Sequence, residues 1–322
     1  MSKKSEKKIN FVEQLILVIL VYLLTSFFIA LPFYLSNYQV TFLNSFFEAI
    51  SGVTGTGFSI FKNIKYLDPT LILWRSSSQW IGGLYFLYFL ILIFSNKQFG
   101  YKMNELTYSG EGSINSESNI KNFLTKVFIL YSVLSLTIFL LLNLSDVRMF
   151  NSLNLSMSLI STGGFIPTNS LNKIIQTNSQ KLIFIFSLLI SMLNFFFFFN
   201  IFEKKTIIQK HKEDIYLVIL AIILILLVYL DNYSLLNIII SVLSSLSNSG
   251  LSLINSDNNL SLYFILITVV GGSLVSNTSG IKFTRIYILL KTASSEIIKL
   301  VSPNSIINKN IFFSEKKITN EN

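Results

Sequence analysis

A chain of 322 residues with 52% hydrophobic side chains, 13% charged ones and a mean hydropathy of +0.61 carries too little charge to cover a soluble domain of its size. It has no cysteine, which excludes disulfides, thiolate metal sites and cysteine nucleophiles; its one histidine, His211, stands among lysines, where a zinc site or a serine–histidine triad has no support. The net charge of +9 matches the Lys/Arg excess that multi-span membrane proteins keep in cytoplasmic loops, so it does not point to nucleic acid.

The basic N-terminus, Met1 to Lys8, precedes an apolar run from Phe11 to Leu35. That run is too long for a signal-peptide core and lacks a small-x-small cleavage pattern, so it reads as a retained span. Five more long apolar runs follow, at about 70–95, 122–145, 180–202, 214–231 and 260–290. Runs of roughly 20 residues cross a hydrocarbon layer about 30 Å thick. Shorter, weakly apolar segments lie at about 40–53, 149–161 and 235–247, between the first and second, third and fourth, and fifth and sixth runs. They are too short to span and read as re-entrant half-helices. Most Lys and Arg residues fall in the N-terminus, in about 95–126 and 203–213, and beyond 282. This bias places the N-terminus in the cytoplasm, provided that each short segment dips into the membrane and returns to the same side. The expected architecture is an all-α integral membrane protein of the cytoplasmic membrane. It has a cytoplasmic N-terminus (1–10), three repeats of span, half-helix, turn and span (11–100, 101–205 and 206–291), and a polar tail (292–322).

Each half-helix ends in a turn of small residues. These are Thr54, Gly55, Thr56 and Gly57 before Phe58; Ser161, Thr162, Gly163 and Gly164 before Phe165; and Ser247, Asn248, Ser249 and Gly250 before Leu251. A cation leaving water needs its hydration shell replaced, and backbone carbonyls do this without fixed charge. Glycine allows the necessary dihedrals, and small side chains let the loops approach closely. Irregular backbone at membrane depth persists only where it is packed in protein or lines a wet cavity. The partially negative C-terminal ends of the half-helices favour cations. A phosphate-loop reading of TGTG fails because no strand precedes it and no lysine follows in the required place. The other reading is three plain extracellular turns.

The last run is interrupted by Gly271, Gly272, Ser273, Ser276, Asn277, Thr278, Ser279 and Gly280, with Lys282 just after. This reads as a flexible segment under the turns that blocks or opens a pore, or as a polar loop between two ordinary helices. Lys282 reads either as a gate charge or as an inner-leaflet anchor with Arg285. Glu48, an acid at membrane depth, is a candidate for holding the shape of the first turn or for touching the ion. Arg75 reads as a snorkelling side chain at a span end, and Phe195 to Phe199 as lipid-facing or packing surface.

Three stretches resemble, in order, the Trk/Ktr/HKT superfamily of cation channels and transporters, in particular its bacterial TrkH and KtrB members. Phe46 to Ser59 (FFEAISGVTGTGFS), with Trp74 to Gly83 (WRSSSQWIGG) after it, is similar to the first pore loop and the stretch that follows it. Ser158 to Phe165 (SLISTGGF) is similar to the second loop, and Val269 to Lys291 to the glycine-rich break in the third repeat. The resemblance covers nearly the whole chain and implies four repeats around a pseudo-fourfold pore, each supplying one filter glycine. Gly57, Gly164 and Gly250 match three of these, and glycine in the first turn resembles the potassium-preferring branch. It further implies that residues 271–280 act as the gate, that the protein is a homodimer, and that a cytosolic nucleotide-binding subunit regulates it. Leu274 and Val275 stand where the family usually has small residues.

The stretch after Lys291 resembles the family's linker to a fourth repeat, which these 322 residues do not include. Three loops do not surround an ion as four do, and an open wall would set polar backbone against lipid. The chain alone is therefore expected to conduct poorly. It could be a fragment, be completed by a separate polypeptide that supplies the fourth repeat, or have its pore closed by a neighbouring subunit. The expected function is the pore subunit of a potassium, or sodium, uptake system with no bound cofactor beyond the transported ion. The alternative is a non-conducting membrane subunit or relic of such a transporter. Enzymatic chemistry would need clustered His, Asp or Glu at one membrane face, and the sequence offers none.

Overall fold

The structure, a computed structural model, describes residues 11–94, 117–202, 212–229, 234–254 and 258–302. The expected N-terminal segment 1–10, His211, most of the basic 95–126 and 203–213 stretches and the tail beyond 302 lie outside the described residues. Eleven α-helices are formed among them: α1 (Phe11–Tyr34), α2 (Phe42–Val53), α3 (Pro69–Phe94), α4 (Glu117–Leu144), α5 (Met149–Ser161), α6 (Asn178–Met192), α7 (Phe195–Phe202), α8 (Lys212–Val228), α9 (Leu235–Leu246), α10 (Asn258–Val270) and α11 (Phe283–Val301).

Two of these, over Val12–Tyr34 and Leu124–Leu144, are long and apolar enough to cross a membrane by length and composition. They turn apolar side chains outward: Ile16, Leu20, Leu24 and Phe28 on α1, and Ile129, Leu136 and Leu140 on α4, are all exposed. The inward face of α4 carries Val127, Tyr131, Leu134, Ile138 and Leu142, which run at helical spacing into the main core. Polar residues lie inside: Ser45, Glu48, Arg75, Gln79, Asn154 and Ser158 are each at most 1% exposed. This inside-out distribution is what a lipid solvent demands.

α2, α5 and α9, the helices that lead into the small-residue turns, are short, with 12, 13 and 12 residues. At 1.5 Å per residue they reach about 20 Å, short of a bilayer. α2 packs on α1 and α3, α5 on α3 and α4, and α9 on α6 and α10. A Cβ on Gly82 would collide with the Val53 carbonyl, and one on Gly83 would lie 2.9 Å from Ser161 Cβ. The Gly82–Gly83 pair therefore lets α3 wedge between the ends of two short helices.

Two expected spans are broken. The run at 180–202 divides into α6 and α7 at Leu193–Asn194, and the run at 260–290 divides at residues 271–282. The sequence marks only the second break. The phenylalanine run begins α7, where Phe195 and Phe196 are buried, so at these two positions it is packing surface.

Candidate ion pathway

α2, α5 and α9 all end the same way. The residue at the second position of each turn is left-handed: Gly55 (φ 67°), Thr162 (φ 55°) and Asn248 (φ 58°). Its N–H donates three residues back, to Gly52, Leu159 and Ser245. The next N–H donates five residues back, from Thr56 to Ser51, Gly163 to Ser158 and Ser249 to Ser244, at 3.0, 2.9 and 3.0 Å. This is a Schellman cap written three times with three different left-handed residues. It closes off the last helical carbonyls and throws the chain sharply aside, so that the fourth position is again left-handed: Gly57 (φ 79°), Gly164 (φ 80°) and Gly250 (φ 65°).

The turns meet. A Cβ on Gly57 would lie 2.6 Å from the Gly163 oxygen, and one on Gly164 would lie 2.5 Å from the Ser249 oxygen and 3.9 Å from Gly57 Cα. Thr54 to Gly57, Ser161 to Gly164 and Ser247 to Gly250 therefore bring their backbones to one place, with no carboxylate in any of them.

Side chains from α2 and α3 hold the first two turns. Glu48 accepts from Arg75 Nε at 2.7 Å, from the Ser59 hydroxyl at 2.9 Å and from the Ile60 N–H at 2.8 Å. Arg75 is 1% exposed, and its guanidinium carbon stands 4.2 Å from the centre of the Phe165 ring. The snorkelling expectation for Arg75 is thus overturned: a buried carboxylate and two aromatic rings hold it inside. Glu48 takes the shape-holding role. One turn along α3, Gln79 donates its amide to the Gly163 carbonyl and accepts the Phe165 N–H at 3.2 Å. Sequence reasoning missed Gln79. Its four-residue spacing from Arg75 on a helix was the available signal. A carboxylate in its place accepts from Phe165 but cannot donate to Gly163. We expect Gln79→Glu to orphan that buried group and to lower stability in thermal unfolding by about 1–3 kcal/mol. In the third turn the hydroxyls of Ser244, Ser247 and Ser249 bond one another and the Ser244 carbonyl.

The break below is a built structure. Gly271, Gly280 and Lys282 have positive φ. The Lys282 ammonium donates to the Ser276 carbonyl at 3.0 Å, to the Thr278 carbonyl, and to the hydroxyls of both residues. It is 7% exposed, so the inner-leaflet anchor reading fails. The Thr278 hydroxyl also accepts the Gly272 N–H at 3.0 Å. The Ser273 side chain is fully buried, whereas Ser279 and Gly280 lie at the exposed side of the segment. Asn277 joins the segment to the second turn: its amide donates to the Ile160 carbonyl at 2.8 Å, and its own carbonyl accepts from the Thr162 hydroxyl at 3.2 Å. The break also pairs with the one between α6 and α7, through Ser273 N–H to Met192 O at 3.1 Å and Phe195 N–H to Val275 O at 2.7 Å. Among the described residues no group of three or more His, Cys, Asp or Glu could hold a metal ion.

The sequence profile of the TrkH family, described as cation transport protein, matches residues 1–218. The chain belongs to the TrkH family. Among curated relatives, an uncharacterized cation transporter of Methanocaldococcus jannaschii is 28% identical over 302 residues, covering 89% of this chain and 60% of that protein. The potassium uptake protein TrkG of the Trk system of Escherichia coli is 22% identical, covering 96% of this chain and 67% of that one. The crystal structure of the potassium transporter TrkH from Vibrio parahaemolyticus superposes with a TM-score of 0.81 at 20% identity, over 97% of this chain and 67% of that chain. The fold is therefore that of the TrkH membrane transporter. The chain spans about 60% of the archaeal relative's length and about two thirds of the other two. The family is one of membrane transporters rather than enzymes, and membership places the chain in the membrane.

Proposed function

We propose that this chain forms most of a potassium-conducting pore, with the backbone oxygens of Thr54–Gly57, Ser161–Gly164 and Ser247–Gly250 replacing the ion's water and residues 271–282 acting as the gate beneath them. The observation that carries this reading is the mutual approach of Gly57, Gly163, Gly164 and Ser249. Three identical caps aim three helix C-termini at that place, which favours a cation without a fixed charge. Glu48 is neutralised by Arg75, so selection falls to carbonyl geometry. Relatives named for Trk system potassium uptake support potassium over sodium. A homodimer and a cytosolic nucleotide-binding partner belong to the same proposal.

The test is ion flux into proteoliposomes under imposed potassium and sodium gradients. It is run for the 322-residue chain alone and for the chain with the remaining length of a full relative supplied. We expect potassium flux to exceed sodium flux, and to be far larger in the completed assembly. Absence of cation flux from both preparations would leave only a non-conducting membrane subunit.

A further inference from the structure

Glu213 and Asp214 open α8 and are 5% and 4% exposed. Buried carboxylates persist only where donors meet them. Glu213 Oε1 accepts the Leu274 N–H at 2.8 Å and the Thr284 hydroxyl, one donor inside the 271–282 break and one in the first turn of α11 beyond it. Asp214 Oδ1 accepts the Asn194 N–H at 2.9 Å, in the other break. Neighbouring residues on a helix point about 100° apart, so one step along α8 addresses two different segments. Those segments are already paired through Ser273 with Met192 and Phe195 with Val275. Backbone N–H groups in irregular membrane segments have no helical acceptor, and a carboxyl oxygen supplies one. At its other side the 271–282 segment is tied by Asn277 to the end of α5.

We propose that Glu213 and Asp214 form a clasp that holds the two paired breaks together and sets the resting position of residues 271–282, making the start of α8 a control point for that segment. The consequence for conduction rests on the gate reading above; the clasp itself does not. Displacing the start of α8 removes acceptors from Leu274, Thr284 and Asn194 together, which frees the segment on the side away from Asn277.

The chain has no cysteine, so single reporters are read without background. Val275→Cys places a thiol of similar size at a position 3% exposed within the break, and Ile190→Cys places one at a position 6% exposed in α6. The full chain in lipid vesicles is treated with a small methanethiosulfonate reagent. Glu213→Ala and Asp214→Ala should each speed modification at 275 by about tenfold, as expected for a local opening, and leave the rate at 190 within about twofold. Glu213→Gln and Asp214→Asn keep a carbonyl acceptor and should fall in between. An unchanged rate at 275 in both alanine variants overturns the clasp, as does equal acceleration at 190, which would mean general loosening. Rubidium flux through the same variants, in the assembly that conducts, separates the two claims. Faster modification with unchanged flux retains the clasp and rejects the gate reading.

Discussion

In the completed assembly, Gly164→Ala is expected to lower rubidium uptake by about a hundredfold or more, since the left-handed dihedral alone disfavours an L side chain by about 1–2 kcal/mol and a steric clash adds to it. The clash is with the Ser249 oxygen, 2.5 Å from the added carbon. Relief requires the second and third turns to separate, which destroys the oxygen geometry on which selection depends. Gly57→Ala should act nearly as strongly, because its Cβ would meet the Gly163 oxygen at 2.6 Å. Gly250 has a positive φ but nothing within 4 Å of the place where a Cβ would sit. Gly250→Ala should therefore lose only the dihedral part, and Gly250→Asn less still, because Asn tolerates the left-handed region. Uptake measured across the series distinguishes mutual packing from simple backbone freedom. Equal damage at 250 and 164 would refute the packing account.

Arg75→Met should destabilise the protein by about 3–5 kcal/mol, the usual consequence of leaving a buried carboxylate without its partner. It also removes the cation from the Phe165 face and the donor from Ser59. The double variant Glu48→Gln/Arg75→Met has no stranded charge and should regain most of the lost stability. It should not regain ion discrimination, because Ile60 and Ser59 then meet a neutral amide and Phe165 loses its cation. Trp74 and Trp80 lie beside Arg75 in sequence and are the only two tryptophans, so intrinsic fluorescence during thermal unfolding reports on this region. A double variant no more stable than Arg75→Met would show that the stranded carboxylate is not what weakens the single variant.

The positions of α1, α3, α4 and the helices before the turns were legible because length and apolarity decide them. α2, α5 and α9 fall within a residue or two of the expected 40–53, 149–161 and 235–247. Gly57, Gly164 and Gly250 were legible as a recurring fourth position. The left-handed second position was not, since Gly55, Thr162 and Asn248 share a conformation but no side chain. The break at Leu193–Asn194 was hidden inside an apolar run, because no glycine or proline marks it and the carboxylate that accepts the Asn194 N–H lies twenty residues later. Arg75 is opaque for a similar reason. A lone arginine near a span end snorkels by default, and only the fold brings Glu48 and Phe165 to it. Lys282 stays ambiguous in the sequence because its partners, Ser276 and Thr278, offer neutral carbonyls and hydroxyls that carry no charge pattern.

The anchoring of the second turn by α3 has a consequence for biogenesis. Gln79 precedes Gly163 by 84 residues, and Arg75 comes earlier still. A nascent chain emerges N-terminus first, so the mould for the second corner is inserted before the corner is made. Shuffling whole repeats between homologues would separate mould from cast. Chimeras cut between 83 and 158 should mature poorly unless both halves bring matching partners.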